Sequence, residues 1–265
     1  MKRGLIVYNS IDHEKNSWFI NRALTLLNDA FFSLSYLDEN FLLDYLATHK
    51  VDFVIYRARN SELVKRLEQK GITVFNNYLT NKTANDKYLT YQLFKENNLP
   101  CIESFLDSSK VSYPFIMKSA SGHGGQEVFL INDENTHKKI LSTYPNLSFI
   151  YQNYVPNDGD VRIYLLNDQV LGAVKRENFS DFRSNFSLGG EVSSFTLSQE
   201  MVASAIKISK LLKATYIGVD LLMTKDGYLF NEIEDPVGSR MLLKVSNLDS
   251  VTLFLESVKE SLLKE

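Results

Sequence analysis

The chain has 265 residues and a net charge of −3 at pH 7, with 44% hydrophobic and 23% charged residues. This size allows one or two domains, and the composition is that of a globular protein. The charge balance lacks the basic footprint of a nucleic-acid binder, and no apolar stretch reaches the roughly 18 residues that span a bilayer. The single cysteine, Cys101, excludes an intrachain disulfide framework and a cysteine zinc cluster. We therefore expect a cytoplasmic enzyme without nucleic-acid or membrane partners.

The first 80 residues alternate between strand and helix patterns. Apolar runs predict strands at 4–8, 32–37, 51–56 and 72–75, and amphipathic spacing predicts helices at 18–27, 40–49 and 61–70. Strands separated by helices imply βαβ units and a mainly parallel sheet. Residues 1–80 are therefore predicted to form a small, open, Rossmann-like α/β domain.

The pattern changes near residue 80, where we place a domain boundary. Helices are predicted at 82–97, 133–142, 198–212 and 248–263, and strands at 114–118, 126–131, 148–152, 161–166, 170–175 and 191–195. Two further strands, 217–223 and 228–233, are joined by a hairpin-like turn containing Asp226 and Gly227. Residues 81–265 are thus predicted to form an α+β domain.

Familiar catalytic motifs are missing from the sequence. It has no phosphate-binding P-loop and no nucleophile elbow, and the glycine-rich run at 122–127 lacks the last glycine of a dinucleotide fingerprint. The four histidines (His13, His49, His123 and His137) have no partners at metal-binding spacing, and we interpret them as surface or loop residues.

A lysine and a glycine-rich loop follow one predicted strand. Lys118 ends the strand, and residues 119–125 contain Gly122, Gly124 and Gly125. Glycines let backbone N–H groups wrap an anion, and a lysine at the loop entrance adds positive charge. A flexible hairpin loop is an equally good interpretation of these residues alone. Lys87, on the predicted boundary helix, is by itself typical of a solvated helix charge.

Three acidic residues converge on the late hairpin. Strand alternation places Glu232 and Glu234 on one face, with Ile233 on the other. Asp220 lies in the partner strand among apolar residues, where an unpaired charge would be costly. Three carboxylates across a hairpin suit a hard cation such as Mg²⁺. The alternative is a set of exposed carboxylates at a sheet edge.

A basic segment runs from Lys175 and Arg176 through Arg183 to Gly189 and Gly190. Arginine guanidinium groups bind phosphate or carboxylate oxygens in bidentate fashion. By itself, a basic surface loop is the favoured interpretation of this segment.

Taken in chain order, these segments resemble the ATP-grasp superfamily, most closely the branch of the ribosomal-protein glutamate ligase and its amino-acid-ligase relatives. The resemblance covers residues 80–245 and rests on spaced matches at Asn85–Lys87, 114–125, 151–155, Asp160–Arg162, 175–190, Gly218–Asp220 and 231–234. It implies an ATP-grasp fold with a small first domain, and a lid subdomain at about residues 100–155.

The resemblance also implies roles for individual residues. The residues matched to ATP binding are Lys87, Lys118, Gly124, Gly125, Gln152, Asn153, Tyr154, Val155, Asp160, Arg162, Arg183, Ser184 and Asn185. Those matched to catalysis around the transferred phosphate are Arg176, Arg183 and Asn185, and those matched to Mg²⁺, or alternatively Mn²⁺, are Asp220, Glu232 and Glu234.

Two positions depart from the family pattern. Asn153 stands where this branch usually has an acid, and Glu234 stands where it usually has asparagine. We expect Mg²⁺ or Arg240 to offset the added charge of Glu234. The segment Asp235–Arg240 also replaces the commoner proline-glycine loop on the acceptor side.

The activity that the resemblance implies is ATP-dependent ligation of a carboxylate to an amine. The reaction passes through an acyl phosphate, releases ADP and phosphate, and forms a peptide-like amide bond. Substrates are expected to be small molecules or peptides, and the sequence makes no prediction of oligomeric state. Two alternatives are a non-catalytic ATP-binding regulator and a peptide-modifying macrocyclase of the same superfamily.

Overall fold

The computed structural model describes residues 1–177 and 191–264. In chain order the strands are β1 (Lys2–Tyr8), β2 (Phe32–Asp38), β3 (Phe53–Tyr56), β4 (Thr73–Phe75), β5 (Ser104–Phe105), β6 (Phe115–Ser119), β7 (Val128–Ile131), β8 (Phe149–Asn153), β9 (Asp160–Leu166), β10 (Gln169–Glu177), β11 (Glu191–Ser194), β12 (Tyr216–Thr224) and β13 (Gly227–Glu234). The helices are α1 (Ser10–Lys15), α2 (Ser17–Leu26), α3 (Leu42–Thr48), α4 (Ser61–Gln69), α5 (Tyr78–Ala84), α6 (Lys87–Glu96), α7 (Glu134–Thr143), α8 (Gln199–Leu212), α9 (Arg240–Ser246) and α10 (Ser250–Lys264).

The first sheet is parallel, as the alternating pattern predicts. Its strand order is β2-β1-β3-β4, with β1 paired in parallel to both β2 and β3. Apolar residues of α3 and α4 cover one face, and those of α2 cover the other. The strand order reverses beside β1, so a crevice opens at the carboxyl ends of β1 and β3, where α/β sheets commonly bind ligands.

Two antiparallel sheets follow in the described part of the chain. The smaller, with strand order β5-β8-β6-β7, is called the lid sheet, and α7 packs on it. The larger has the order β11-β10-β9-β12-β13. Helices α6 and α8 contribute to the core on one face of this larger sheet, and α9 and α10 contribute to the core on the other.

The first sheet is fastened to the large sheet through apolar and polar contacts. Phe254 of α10 packs against Phe19 of α2, with ring centroids 6.2 Å apart. A buried polar group, here called the junction cluster, consists of Arg57, Asn76, Asn81 and Asp235. The Asp235 carboxylate accepts hydrogen bonds from the amides of Asn76 and Asn81 at 2.9 and 3.0 Å. Arg57 donates to the carbonyl of Val237 at 2.7 Å.

One predicted helix is wrong in its extent. The segment 82–97 is not continuous, because α5 ends at Ala84 and α6 begins at Lys87. Asp86 has extended backbone angles (φ −129°, ψ 109°), and its side chain accepts from the N–H groups of Tyr88 and Leu89. Aspartate is a strong helix N-cap, so it starts a new helix here.

Three short elements, α1, α9 and β5, were not predicted from the apolar pattern of the sequence. Helix α1 has no buried residue and therefore no apolar periodicity, and β5 is two residues long. Within the described ranges, the longest helices fall short of the length and apolarity that a bilayer crossing requires.

Candidate active site

A pocket opens between the lid sheet and the β12–β13 hairpin. Its walls come from β6, β8, the 119–125 loop, the start of β9 and the facing surface of the large sheet. Of the predicted site residues, those that line it are Lys87, Lys118, Gly124, Gly125, Gln152, Asn153, Tyr154, Val155, Asp160, Arg176, Asp220, Glu232 and Glu234. Segments far apart in the sequence therefore meet at one site.

Two lysines enter this pocket from different elements. Lys118 ends β6, and its ammonium donates to Asn231 Oδ1 at 2.9 Å and lies 3.4 Å from Glu232 Oε1. Burial lowers the pKa of Lys118, and the carboxylate of Glu232 opposes that shift. Lys87 starts α6, and its ammonium donates to the carbonyl of Gly122 and lies 3.8 Å from Glu232 Oε2. Both cations are thus held beside the loop and can take phosphate oxygens as partners.

Residues 119–125 form the glycine loop. Gly124 and Gly125 have φ angles of +69° and +73°, a conformation that side-chain-bearing residues rarely adopt. The backbone N–H of Lys87 donates to the carbonyl of Ala120 at 2.9 Å, which ties the loop to α6. The loop therefore lies over the end of the pocket that holds the lysines.

The opposite end of the pocket is less charged. Ile102, Ile116 and Leu222 line it together with residues 152–155. The side-chain amide of Gln152 donates to Ser104 Oγ at 2.7 Å, which holds it against β5. The apolar end of the pocket suits a nucleotide base, and the charged end suits its phosphates.

A buried chain of ion pairs crosses the floor of the pocket. Arg176 donates from Nε and Nη2 to Asp160, at 2.5 and 2.9 Å, and from Nη2 to Asp220 at 2.7 Å. Arg162 donates from Nε and Nη2 to the two oxygens of Asp220, both at 2.7 Å. Burial raises the pKa of Asp220, but the two arginines outweigh it and hold that pKa at about 2. Asp220 is therefore an ionised carboxylate at neutral pH.

Cross-strand register brings the three predicted metal ligands together. Asp220 pairs with Glu232, and Gly218 pairs with Glu234, so all three carboxylates face the pocket. Ile233, between the two glutamates, is buried in the core beneath. Although burial raises the pKa of Glu232, Lys87 and Lys118 hold it below its ordinary value.

The donor set of this hairpin fits a divalent cation. Carboxylate oxygens are the ligands that Mg²⁺ prefers, and Mg²⁺ commonly takes one or two of them plus phosphate oxygens. In residues 1–177 and 191–264, no group of three His, Cys, Asp or Glu side chains gathers closely enough to hold a metal ion. The carboxylates thus suit a cation that arrives with phosphate, and the metal assignment stays a prediction.

Arg240, one of the two groups expected to offset the charge of Glu234, contacts a different residue in the structure. It donates instead to the carbonyl of Lys15 at 3.3 Å. Arg162 takes that role, because its Nη2 donates to Glu234 Oε1 at 2.6 Å. Arg162 reaches both Asp220 and Glu234 from β9, which lies directly beside β12.

One group at the edge of the site is not among the residues predicted from the sequence. A side cleft next to the main pocket is lined by Arg59, Lys87, His123 and Glu234, among others. Arg59 follows β3 and donates from Nη1 to Asp12 Oδ2 at 2.6 Å. His123 also lines the main pocket, and burial together with Arg59 lowers its pKa. Charged residues just after a buried parallel strand were the signal that would have identified Arg59.

Three predicted residues cannot be placed. Arg183, Ser184 and Asn185, assigned to ATP and the transferred phosphate, lie outside the described residues, as do Gly189 and Gly190.

Comparisons with known proteins point to one family. Residues 90–258 match the model of the RimK-like ATP-grasp domain. The chain is 31% identical over 260 residues to the uncharacterized protein MG011 of Mycoplasma genitalium, covering 92% of this chain and 88% of that protein. It is 27% identical over 211 residues to a probable alpha-L-glutamate ligase of Haemophilus influenzae, covering 74% and 70%. It is 23% identical over 238 residues to the alpha-aminoadipate–LysW ligase LysX of Saccharolobus solfataricus, covering 82% and 86%.

Solved structures agree at the level of the fold. The D-alanine–D-alanine ligase of Bacillus anthracis complexed with ATP has a TM-score of 0.80 at 16% identity, over 100% of this chain and 98% of that one. A RimK domain ATP-grasp protein of Sphaerobacter thermophilus has a TM-score of 0.70 at 15% identity, over 96% and 98%.

Proposed function

This chain belongs to the RimK-like ATP-grasp family, and we propose that it joins a carboxylate to an amine through an acyl phosphate, releasing ADP and phosphate. The family match and the ligase relatives confirm three predictions made from the sequence: the ATP-grasp family, the fold class, and an enzyme that forms C–N bonds. The ligase relatives support ATP-dependent formation of an amide bond. The acyl phosphate is the intermediate that we propose for it.

One observation carries the proposal. Lys87 and Lys118 approach the glycine loop from different elements, directly beside the carboxylates of the β12–β13 hairpin. Two cations, a loop rich in backbone donors and a set of carboxylates suit a triphosphate and its divalent cation. The apolar end of the pocket, by Ile102 and Leu222, would take the base.

In the proposed reaction, an oxygen of the substrate carboxylate attacks the terminal phosphorus of ATP and ADP leaves. The amine then attacks the acyl carbon, loses a proton, and displaces phosphate to form the amide. Lys118 and Arg176 would stabilise the negative charge that develops on the transferred group, from positions already fixed in the fold. Asp220, Glu232 and Glu234 would offer carboxylate oxygens to a Mg²⁺ ion that arrives with the nucleotide, and this ion would supply positive charge to neutralise the phosphates. The glycine loop would exclude water, which otherwise hydrolyses the acyl phosphate.

The test is a screen of acids and amines for ATP turnover, with products separated by chromatography. We expect ADP and phosphate, and we expect hydroxylamine to trap the activated acid as a hydroxamate when the amine is withheld. AMP and pyrophosphate would refute attack at the terminal phosphorus. Tight ATP binding without turnover, across a broad screen, would favour the non-catalytic regulator instead.

Calorimetry with a nonhydrolysable ATP analogue tests the nucleotide site separately. Lys118→Met removes one charge-assisted phosphate contact and should weaken binding about tenfold to a hundredfold. Lys207→Met is the matched control, since Lys207 is an exposed lysine whose ammonium donates to the carbonyl of Asn97. Equal affinities of the two variants would contradict the assignment of Lys118.

A further inference from the structure

The side cleft lies where the first sheet meets the proposed ATP site. The strand order β2-β1-β3-β4 opens a crevice at the carboxyl ends of β1 and β3, and Arg59 lies just after β3. The cleft shares Lys87, Gly122, His123 and Glu234 with the main pocket. A molecule bound in the cleft would therefore reach the place where the terminal phosphate is expected.

The backbone that carries Arg59 is firmly held. Arg57, two residues earlier, is buried, donates to Tyr8 Oη at 3.0 Å and to the carbonyl of Val237 at 2.7 Å, and stacks 4.3 Å from the ring centre of Phe19. Asn60, which directly follows Arg59, caps α4 because its side chain accepts a hydrogen bond from the N–H of Leu63. Arg59 is thus presented from a fixed position at the mouth of the cleft.

Arg59 keeps binding capacity in the described structure. Its side chain is 24% exposed, and its ion pair with Asp12 uses Nη1. A guanidinium has five N–H donors in a planar fork, so further donors remain for a carboxylate alongside Asp12. The acidic residues lining the cleft, Glu232, Glu234 and Asp235, would repel an anion. Lys87 is held by the carbonyl of Gly122 and by Glu232, which leaves Arg59 as the cation best placed for a substrate anion.

From this geometry we infer that Arg59 selects the substrate: it binds a second carboxylate, one that does not react, of a dicarboxylic substrate whose other carboxylate is activated at the main pocket. The inference rests on the proposed function for the identity of the reacting group. No bond forms or breaks at Arg59, which acts as a binding residue that sets specificity.

The experiment measures ligand binding by calorimetry with a nonhydrolysable ATP analogue present. The probes are aspartate, glutamate and α-aminoadipate, each compared with its two mono-amides, which lack one carboxylate charge. We expect at least one of these acids to bind about tenfold to a hundredfold more tightly than one of its amides. In Arg59→Met that preference should vanish, while the affinity for the ATP analogue stays unchanged.

Two further variants control for charge and folding. Arg59→Lys keeps the charge without the planar fork and should retain part of the preference. Arg22→Met removes another arginine–aspartate pair, Arg22 with Asp249, away from the cleft, and should bind every probe as the wild type does. The inference is overturned if no acid binds, if acids and amides bind equally, or if the preference persists in Arg59→Met.

These outcomes are distinct from failure of the proposed function. An Arg59-dependent preference without ATP turnover for any acid would support the role of Arg59 and refute the ligase mechanism. Turnover of monocarboxylic acids, with no binding of the dicarboxylic ones, would support the ligase mechanism and refute the role of Arg59.

Discussion

Arg176 should be worth more to the folded state than any exposed arginine of the chain, because it neutralises a carboxylate that the fold has buried. Its side chain is 3% exposed and contacts Asp160 through two nitrogens and Asp220 through one. In Arg176→Met, Asp220 keeps Arg162, whereas Asp160 loses the guanidinium that binds both of its oxygens. Removing one partner of a buried pair costs about 3–5 kcal/mol.

Protonation of Asp160 sets an upper limit to that loss. Neutralising a carboxyl of ordinary pKa at pH 7 costs about 4 kcal/mol, and burial raises the pKa of Asp160, which makes its protonation cheaper. We therefore expect Arg176→Met to lower the free energy of unfolding by about 3 kcal/mol at pH 7. At pH 5 protonation is cheaper, and the difference from wild type should shrink. Asp160→Asn combined with Arg176→Met removes the orphaned charge and should recover much of the stability.

Urea unfolding at pH 7 and pH 5 measures these differences. Arg22→Met is the control, since Arg22 and Asp249 form an exposed pair (side chains 43% and 29% exposed) worth less than about 1 kcal/mol. A loss of stability in Arg176→Met no greater than in this control, or a double variant no more stable than Arg176→Met, would refute the stabilising role of Arg176.

Two other predictions concern the stability of the protein at low pH and the substitution of one glycine. The pKa of Asp220 is about 2, below its ordinary value, so its ionised form contributes stability above about pH 4, and about 2 kcal/mol should be lost as the pH falls from 4 to 2. Urea midpoints across that range check this, and Asp220→Asn should show a flatter dependence. Gly159 has φ +93°, and an added Cβ would lie 2.5 Å from the carbonyl oxygen of Arg176, so Gly159→Ala should cost clearly more than Gly71→Ala. Gly71 has φ +75° with open space around it, so its alanine variant should lose only the conformational cost of about 1–2 kcal/mol; equal losses would contradict the clash.

Local patterns predicted most of the secondary structure and part of the site. Apolar runs identified β1 and β3, because strands of a parallel sheet covered on both faces need apolar side chains on both faces. Alternation along β13 correctly separated Ile233 from Glu232 and Glu234, since the period of a strand is fixed by its backbone. The break at Asp86 was missed because apolar periodicity continues across it, and the cap acts through one side chain.

The ion pairs could not be predicted from the sequence. Arg162 meets Asp220 because β9 lies beside β12, although 58 positions separate the two residues. Sheet order depends on how helices and strands pack together, and no local pattern records it. The sequence therefore indicated that Asp220 needed a partner without indicating which. For the same reason, Arg59 was not predicted as a site residue, because it lies near the glycine loop only through the packing of the first sheet.

The separate core of the lid sheet bears on how the enzyme admits its substrates. Phe115, Met117, Ile131, Phe149 and Tyr151 form a cluster of buried side chains distinct from those of the other two sheets. The first sheet, by contrast, shares a core with the large sheet and is tied to it through Asp235 and Arg57. Rotating the lid sheet would break polar contacts such as that of Lys118 with Asn231, which water can replace. We therefore expect the lid sheet to move as a unit relative to the other two sheets, which would open the main pocket while leaving Arg59 in place.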